Sequence, residues 1–474
     1  METGKIIFGT DGWRGLIDKE INNDSVALVA QAFADYLNST FSKTKQIKVA
    51  IAYDGRRNSP SFANIIAKVL SGNDIIVYLA NQIEPTPVLS YFVKYKQLDA
   101  GIMVTASHNP AKYNGLKFKA NYGGPFFTEE TAKVEGLLGK SGIKSNNENI
   151  IKSDIRTPYL NHLEEVIDFK LIKKSDINIL VDSMGGAGQL ILENLLHKHN
   201  IKCHTIFGIP RNDFYNRLAE PIEKNLLKLS DHLSKEKYSF GCATDGDADR
   251  VGVVLDGGAW LSAQYTILLI ADYLINKKGY SGNLVKTSSV TGKLNQIGLQ
   301  KDRKVFDVQV GFKYICEKMI EEDIAFGAEE SGGFGYKNHM PERDGILSSL
   351  IIAEMLASSK YKSLKEYFYS KKEEFGDIFY SRIDMEYLKP DRIEILPSLY
   401  KNLPPSIADF EVVNSQIFYS SRGIINGLKL NLQGNARWLL IRASETEPII
   451  RIYAEGESDL EVNNILSAGQ YFFK

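Results

Sequence analysis

Cysteine is scarce in this chain. Cys203, Cys242 and Cys316 are the only three among 474 residues, an odd number without CxxC spacing, which excludes a disulfide framework and a zinc knuckle and fits buried free thiols in a reducing compartment. An excess of charge of either sign is missing too: 57 Lys and Arg face 58 Asp and Glu for a net charge of -1, and the basic residues are scattered, so no nucleic-acid footprint is expected. Long hydrophobic runs are absent. The most apolar stretch, Ile267 to Ile275, is interrupted by Asp272 and is too short to cross a bilayer, so no membrane partner is expected. Met1 to Trp13 lacks a charged start followed by an apolar run, so no signal peptide is expected and the cytoplasm is the default compartment. There is no low-complexity tract and no short solenoid repeat.

What remains is the composition of a soluble globular protein with real cores, 43% hydrophobic and 24% charged. The length suggests three or four domains. Ile47 to Tyr53, Ile75 to Leu79 and Gly101 to Val104 read as strands, separated by helix-like stretches such as Phe62 to Leu70 and Val88 to Tyr95. The pattern restarts at Ile177 to Val181, followed by Asp182-Ser183-Met184-Gly185-Gly186-Ala187-Gly188, which lacks the full GxGxxG spacing and reads as a tight turn. Asn283 to Thr287 opens a third unit. From about Phe379 the character changes: Leu428 to Leu432, Trp438 to Arg442 and Ile449 to Ala454 predict strands with few helices between them. The expected fold is α/β, three mixed α/β domains of similar topology followed by a smaller α+β C-terminal domain around a central cleft, with boundaries at 1–158, 159–260, 261–376 and 377–474. Gly139 to Asn149 is polar enough for a surface excursion, and Lys371-Lys372-Glu373-Glu374 marks the approach to the last boundary.

Two short segments carry chemistry. Ile102, Met103 and Val104 end a buried strand and Asn109-Pro110 forces a break just afterwards. Thr105-Ala106-Ser107-His108-Asn109-Pro110 therefore offers the Ser107 hydroxyl at a strand's carboxyl end, where open α/β sheets place their ligands. The plain alternative is a Ser/Asn turn that satisfies its own backbone. Asp245-Gly246-Asp247-Ala248-Asp249-Arg250 lies between the apolar runs Phe240 to Ala243 and Val251 to Leu255. Alternate carboxylates can point at one centre, Gly246 relieves the local sterics, and like charges this close repel unless a cation sits among them. An EF-hand would need Gly at its sixth position and Glu at its twelfth; counted from Asp245 these are Arg250 and Asp256. Arg250 after the triplet is of more use to a phosphate than to a bare metal. An acidic turn without metal is the alternative.

With further segments in the same order, the chain resembles the α-D-phosphohexomutase family of the phosphoglucomutase/phosphomannomutase type over nearly its full length. Phe8-Gly9-Thr10-Asp11-Gly12-Trp13-Arg14-Gly15 resembles the amino-terminal loop, with Trp13 where an aliphatic residue is common. The segment around Ser107, followed by Tyr113-Asn114-Gly115-Leu116-Lys117, resembles the phosphoserine loop; the acidic triplet resembles the metal loop, with Ala248 where many relatives have Gly. Gly327-Ala328-Glu329-Glu330-Ser331-Gly332-Gly333 resembles the sugar-recognition loop, and Arg442-Ala443-Ser444-Glu445-Thr446-Glu447-Pro448 the phosphate-binding loop. Two departures stand out. Glu445 replaces the usual Gly or Asn, and Gln309, before Val310-Gly311-Phe312-Lys313, replaces the usual Thr.

The resemblance implies a reversible interconversion of hexose 1-phosphate and hexose 6-phosphate, with glucose and mannose as the sugars. It runs through a phosphoserine at Ser107 and a hexose 1,6-bisphosphate, with glucose 1,6-bisphosphate as activator and Mg²⁺ held by Ser107, Asp245, Asp247 and Asp249. Arg14, Lys117, Arg250 and Lys313 form the implied cationic surround. Lys117 is the implied proton carrier, since nearby cations can lower a lysine's pKa until it accepts a proton. His108 is either a second proton carrier or a hydrogen-bond support. Glu329 and Ser331 are implied to grip the sugar's O3 and O4, helped by Lys313 and His339, with a loop-supporting salt bridge as the alternative for Glu330 and a surface or structural role as the alternative for His339. Arg442, Ser444 and Thr446 offer a guanidinium fork and hydroxyls that match a phosphate. Arg451 is expected to be structural, and His197 and His199 to be solvated. Because the bisphosphate must turn over, the last domain is expected to swing near Glu373 to Asp377. The expected partner is the phosphosugar, and the expected state is a monomer or homodimer. The competing readings are a phosphoglucosamine mutase, whose sugar loop typically ends Ser-Gly-His rather than Gly332-Gly333, and a phosphosugar-binding protein without turnover, which would be expected to lack the Ser or Asp that are intact here.

Overall fold

The computed structural model describes residues 6–9, 11–41, 45–420, 423–434, 436–443 and 448–473. Four sheets follow one another along the chain. In the first, Lys48–Tyr53 lies parallel to Ile76–Ala80 and Ala100–Val104, and Ile150–Ser153 extends one edge. Tyr113–Ala120 then returns antiparallel to Ala100–Val104 and carries Trp13–Leu16 on its far side. The second sheet repeats the plan. Asn178–Asp182 is parallel to Lys202–Ile206 and Phe240–Thr244, and Val251–Leu255 returns antiparallel. In the third, Asn283–Thr287 is parallel to Val305–Val308 and Ile324–Ala328, with Phe334–Tyr336 returning antiparallel. The inner parallel strands are apolar on both faces because helices cover both sides.

This shared plan locates the chemistry. In each sheet the connection from the third parallel strand to the antiparallel one holds a candidate segment: Ser107 after Ala100–Val104, the acidic triplet after Phe240–Thr244, and Glu329 after Ile324–Ala328. The fourth sheet is antiparallel over its long strands, in the order Phe379–Glu386, Ile449–Gly456, Trp438–Ala443, Ile425–Leu432, Phe410–Tyr419. Asp459–Tyr471 packs on one face of it. Three α/β units and a terminal α+β unit are thus the architecture.

The apolar run at Ile267 to Ile275 lies inside the buried helix Ala263–Asn276, and the interrupting Asp272 pairs with Lys371 at 3.0 Å. Among the described residues no helix is long and apolar enough to cross a membrane. Two expectations need correction. Glu373 and Glu374 are helical, finishing Leu364–Phe375, so the connection into the fourth sheet shortens to 376–378, with Gly376 at φ 74°. That connection is pinned, since the Ile378 amide donates to Tyr265 Oη at 3.0 Å and Lys293 Nζ to the Phe375 carbonyl at 2.7 Å. His199 is half-buried rather than solvated and stacks on Phe169 with ring centroids 4.1 Å apart, whereas His197 is exposed as expected, its Nε2 2.8 Å from the Cys203 carbonyl.

The fourth unit docks on the third through polar groups. Lys429 Nζ donates to the Ser288 carbonyl and to Asp307, both at 2.9 Å. Glu455 accepts from the Gly292 amide at 2.9 Å and from Trp438 Nε1 at 2.6 Å, and also from the Thr291 hydroxyl. Gln309 donates to Asn426 at 2.7 Å, which gives the departure at that position a use. Burial, and then Lys286 nearby, pull the Lys429 ammonium down from 10.5 to about 8. Below about pH 8 folded and unfolded chains both carry this proton, and the buried charge weighs fully against folding. Between about 8 and 10.5 only the unfolded chain keeps it, so folding releases a proton and stability rises with pH. Urea melts at about pH 7 and about pH 9.5 should show that rise in the wild type and a smaller one in Lys429→Met. Equal rises in both would contradict this account.

Candidate active site

The serine loop is fixed from beneath. Thr105 Oγ1 donates to Asp54 at 2.6 Å and accepts the Ser107 amide at 2.8 Å. Ser107 is fully buried at φ 50°, a left-handed conformation that costs a non-glycine residue free energy and persists where surroundings impose it. Its hydroxyl donates to Asp245 at 3.0 Å and lies 3.4 Å from His108 Nδ1. Arg14 Nη1 donates to Asn109 Oδ1 at 2.5 Å and so ties the amino-terminal strand to the far end of the loop.

The acidic loop presses directly on the serine loop. A Cβ at Gly246 would stand 2.4 Å from the Ser107 carbonyl oxygen, so glycine is required there by the close approach of two chains. The glycine-rich turn after Asn178–Asp182 backs the acidic loop from the other side. The Ala187 amide donates to the Gly246 carbonyl at 2.9 Å, and a Cβ at Gly186 would meet that oxygen at 2.8 Å. Ala248 adopts φ 58°, which explains why glycine is the easier residue at its position. Thr86 clamps Asp247, its amide donating to the Asp247 carbonyl at 2.9 Å and its hydroxyl to the carboxylate at 2.5 Å.

Asp245, Asp247 and Asp249 are buried and each places a carboxylate oxygen within 4.8 Å of the others. Asp247 Oδ1 and Asp249 Oδ1 are buried without a hydrogen-bond partner. Burial, then Asp249 and Asp247, push the Asp245 carboxyl well above its ordinary range. Orphaned oxygens, mutual repulsion and an all-oxygen donor set fit a hard divalent cation such as Mg²⁺.

Cations from the first three units surround this charge. Lys117 Nζ is 2.9 Å from Asp11, 2.8 Å from Asp247 and 2.9 Å from Asp249. Burial alone would lower its pKa, but Asp11, Asp247 and Asp249 outweigh burial and raise it. The surroundings differ from those expected from sequence: carboxylates rather than cations are the charges nearest this lysine. His108 behaves in the opposite way. Burial, then Arg250 and Arg14, hold it well below 6.5, so it is a neutral imidazole. Arg250 Nε is 3.9 Å from Asp249 and has no hydrogen-bond partner.

The sugar-loop candidates separate cleanly. Glu329 is buried 3.8 Å from Arg343, and burial, opposed by Arg343 and Arg250, raises its carboxyl to about 7. Glu330 instead reaches Arg382 of the fourth unit at 3.4 Å and Ser289 at 3.2 Å, the supporting role. Ser331 Oγ is buried without a partner. Gly332 has φ 85° and a Cβ there would stand 2.3 Å from the Val251 carbonyl oxygen, while a Cβ at Gly333 would stand 2.4 Å from Arg343 Cδ, so Gly333 makes room for that arginine. Lys313 donates to the Thr128 hydroxyl and lines a small recess with Asp11 and Gly12. His339 takes the structural alternative. Asp344 and His162 engage its two ring nitrogens, each at 2.9 Å, which leaves none for a sugar hydroxyl. In the fourth unit Arg442 keeps a buried Nε without a partner, and Ser444, Glu445 and Thr446 lie outside the described residues.

Sequence reasoning passed over Asp11 and Arg343. Arg343 Nη2 is 2.6 Å from Asp11 and 2.8 Å from Asp249, which joins the third unit to the first two. The available signal was an Arg between Pro341 and the buried helix Gly345–Ala357, a placement that one sequence cannot distinguish from a surface charge.

Four family models match the chain in order. They are the phosphoglucomutase/phosphomannomutase alpha/beta/alpha domains I at 5–142, II at 157–258 and III at 262–375, and the C-terminal domain at 393–468. A phosphoglucomutase/phosphomannomutase of Thermococcus kodakarensis is 29% identical over 98% of this chain and 97% of its own length. A phosphoglucosamine/phosphogalactosamine mutase of Sulfurisphaera tokodaii is 28% identical, covering 97% of each chain. A solved structure from Thermus thermophilus, described as that of a phosphomannomutase, superimposes with TM-score 0.83 at 31% identity, covering 99% of each chain. With the four domains in order and that likeness end to end, this chain belongs to the phosphoglucomutase/phosphomannomutase family and is an enzyme, a phosphotransferase isomerase.

Proposed function

We propose that the protein interconverts hexose 1-phosphate and hexose 6-phosphate, with glucose and mannose as its sugars, through phosphorylated Ser107 and a hexose 1,6-bisphosphate. The observation that carries this reading is the Ser107 hydroxyl, buried 3.0 Å from Asp245 beside carboxylate oxygens that lack partners. In the first transfer the bond from phosphorus to Ser107 Oγ breaks as the bond to a sugar oxygen forms. The sugar hydroxyl loses a proton and Ser107 Oγ regains one. Neutral His108 can accept a proton, and ammonium Lys117 can donate one, so the pair covers both needs. The second transfer runs the same step from the other phosphate after the bisphosphate has turned over.

Asp245, Asp247, Asp249 and an oxygen on Ser107 would hold Mg²⁺, which when bound offsets charge on the transferring phosphoryl group. Arg14 keeps the serine loop in place, and Arg250 and Arg442 each present an unpaired Nε suited to a phosphate oxygen. Glu329 and Ser331 grip O3 and O4, where burial leaves the Ser331 hydroxyl free to bond a sugar. Glucose 1,6-bisphosphate serves as intermediate and activator. Three buried free thiols support a cytoplasmic, reducing setting.

Intact-mass measurement should find a fraction of the protein heavier by one phosphate. Ser107→Ala should lose that mass and at least about a thousandfold in turnover while still binding substrate. Full activity in this variant would end the proposal.

Chelation should abolish activity and Mg²⁺ restore it, with Zn²⁺ a poor substitute because it prefers nitrogen and sulfur ligands. Undiminished turnover in metal-free buffer would refute the cation's part.

Because O3 and O4 are shared by glucose and mannose, the two 1-phosphates should react within about two orders of magnitude of each other. Glu329→Gln should slow both alike in a coupled assay. Loss of one sugar with the other spared would show that Glu329 reads C2.

A further inference from the structure

Arg56 is fully buried, at 1% exposure, directly after the strand Lys48–Tyr53 that neighbours the serine strand. Its guanidinium donates to four backbone carbonyls of one loop. Nη2 reaches Ser107 and Asn109, each at 2.6 Å, and Nη1 reaches Pro110 and Tyr113, each at 3.0 Å. Asp54 lies 3.2 Å from Nε, and the same carboxylate accepts the Thr105 and Ser59 hydroxyls at 2.6 and 2.8 Å. On its other face the guanidinium lies over the Phe214 ring of the second unit, 4.7 Å from the centroid. The neighbouring Arg57 differs in burial and partners: it is half exposed and, among the described residues, pairs with Asp18 at 2.6 Å.

We infer that Arg56 is a positioning residue for phosphoryl transfer: it gathers the loop's carbonyls into one fork and so imposes the left-handed turn that aims Ser107 Oγ at the acidic loop. The inference rests on the mutase reading. Carbonyls drawn to one centre repel one another unless a cation with several fixed donors lies between them, and only a planar guanidinium supplies those donors in fork geometry. A lysine has the charge and lacks the span. A local backbone shift of about 1 Å at a reacting group can cost about a hundredfold in rate, so the fork should be felt in the transfer rather than in substrate binding.

The test compares wild type, Arg56→Lys, Arg56→Gln and the control Arg57→Gln, all full-length. Three quantities are read: the rate at which Ser107 takes up phosphate from glucose 1,6-bisphosphate by quenched-flow intact mass, the dissociation constant for that bisphosphate, and amide exchange across residues 105–116. In Arg56→Lys uptake should fall about a hundredfold or more while the dissociation constant stays within about threefold. Exchange should quicken in that loop alone, and Arg57→Gln should match wild type throughout. A folded Arg56→Lys protein with wild-type uptake, or with unchanged exchange in the loop, overturns the inference. Parallel loss of uptake and affinity with exchange raised across the whole chain would also overturn it, because Arg56 would then be a plain stability residue. A wild type that takes up no phosphate sinks the mutase reading itself, and loop exchange still decides whether Arg56 holds the turn.

Discussion

Lys117 brings carboxylates of two sheets to one ammonium, and much of the molecule is arranged to keep that cluster buried. Asp11 belongs to the first unit and Asp247 and Asp249 to the second, and all three lie within 2.9 Å of Lys117 Nζ. Arg343 then adds the third unit through Asp11 and Asp249. A buried carboxylate without a counter-charge is expensive, so Asp247 and Asp249 of the second unit depend on Lys117 of the first and Asp249 also on Arg343 of the third. Interlocking and chemistry therefore draw on the same atoms.

The repeated sheet plan explains how so many groups converge. Each α/β unit ends its parallel run and reverses into an antiparallel strand, and each reversal carries one part of the site. Side chains at such reversals leave the sheet from the carboxyl ends of its strands, where covering helices do not reach. In the fourth unit Arg442 stands near the end of the strand Trp438–Ala443.

Sequence made the strands legible because period and apolarity are local properties. The run Ile102 to Val104, the turn at Asn109-Pro110 and the alternating aspartates all announced themselves. Less legible was whatever depends on a partner far along the chain. The state of Lys117 turns on carboxylates about 130 residues away, and the sequence neighbours of a lysine do not reveal whether cations or anions will surround it. The choice between the two roles of His339 stayed open for a similar reason, since its partners His162 and Asp344 meet it only after the helices Arg156–Val166 and Gly345–Ala357 assemble. Gly333 carried its meaning in the position of Arg343, and Glu330 in that of Arg382. In each case the residue type was visible and its neighbour was not.

The contacts between third and fourth units run through Lys429, Glu455 and Gln309. Apolar surface exposed to water raises heat capacity, whereas polar surface lowers it. Parting these units would hydrate charges and amides more than hydrocarbon, so the change in heat capacity would be small. The enthalpy of parting would then change little with temperature, so the balance between docked and parted forms would follow a nearly straight van't Hoff line rather than a curved one.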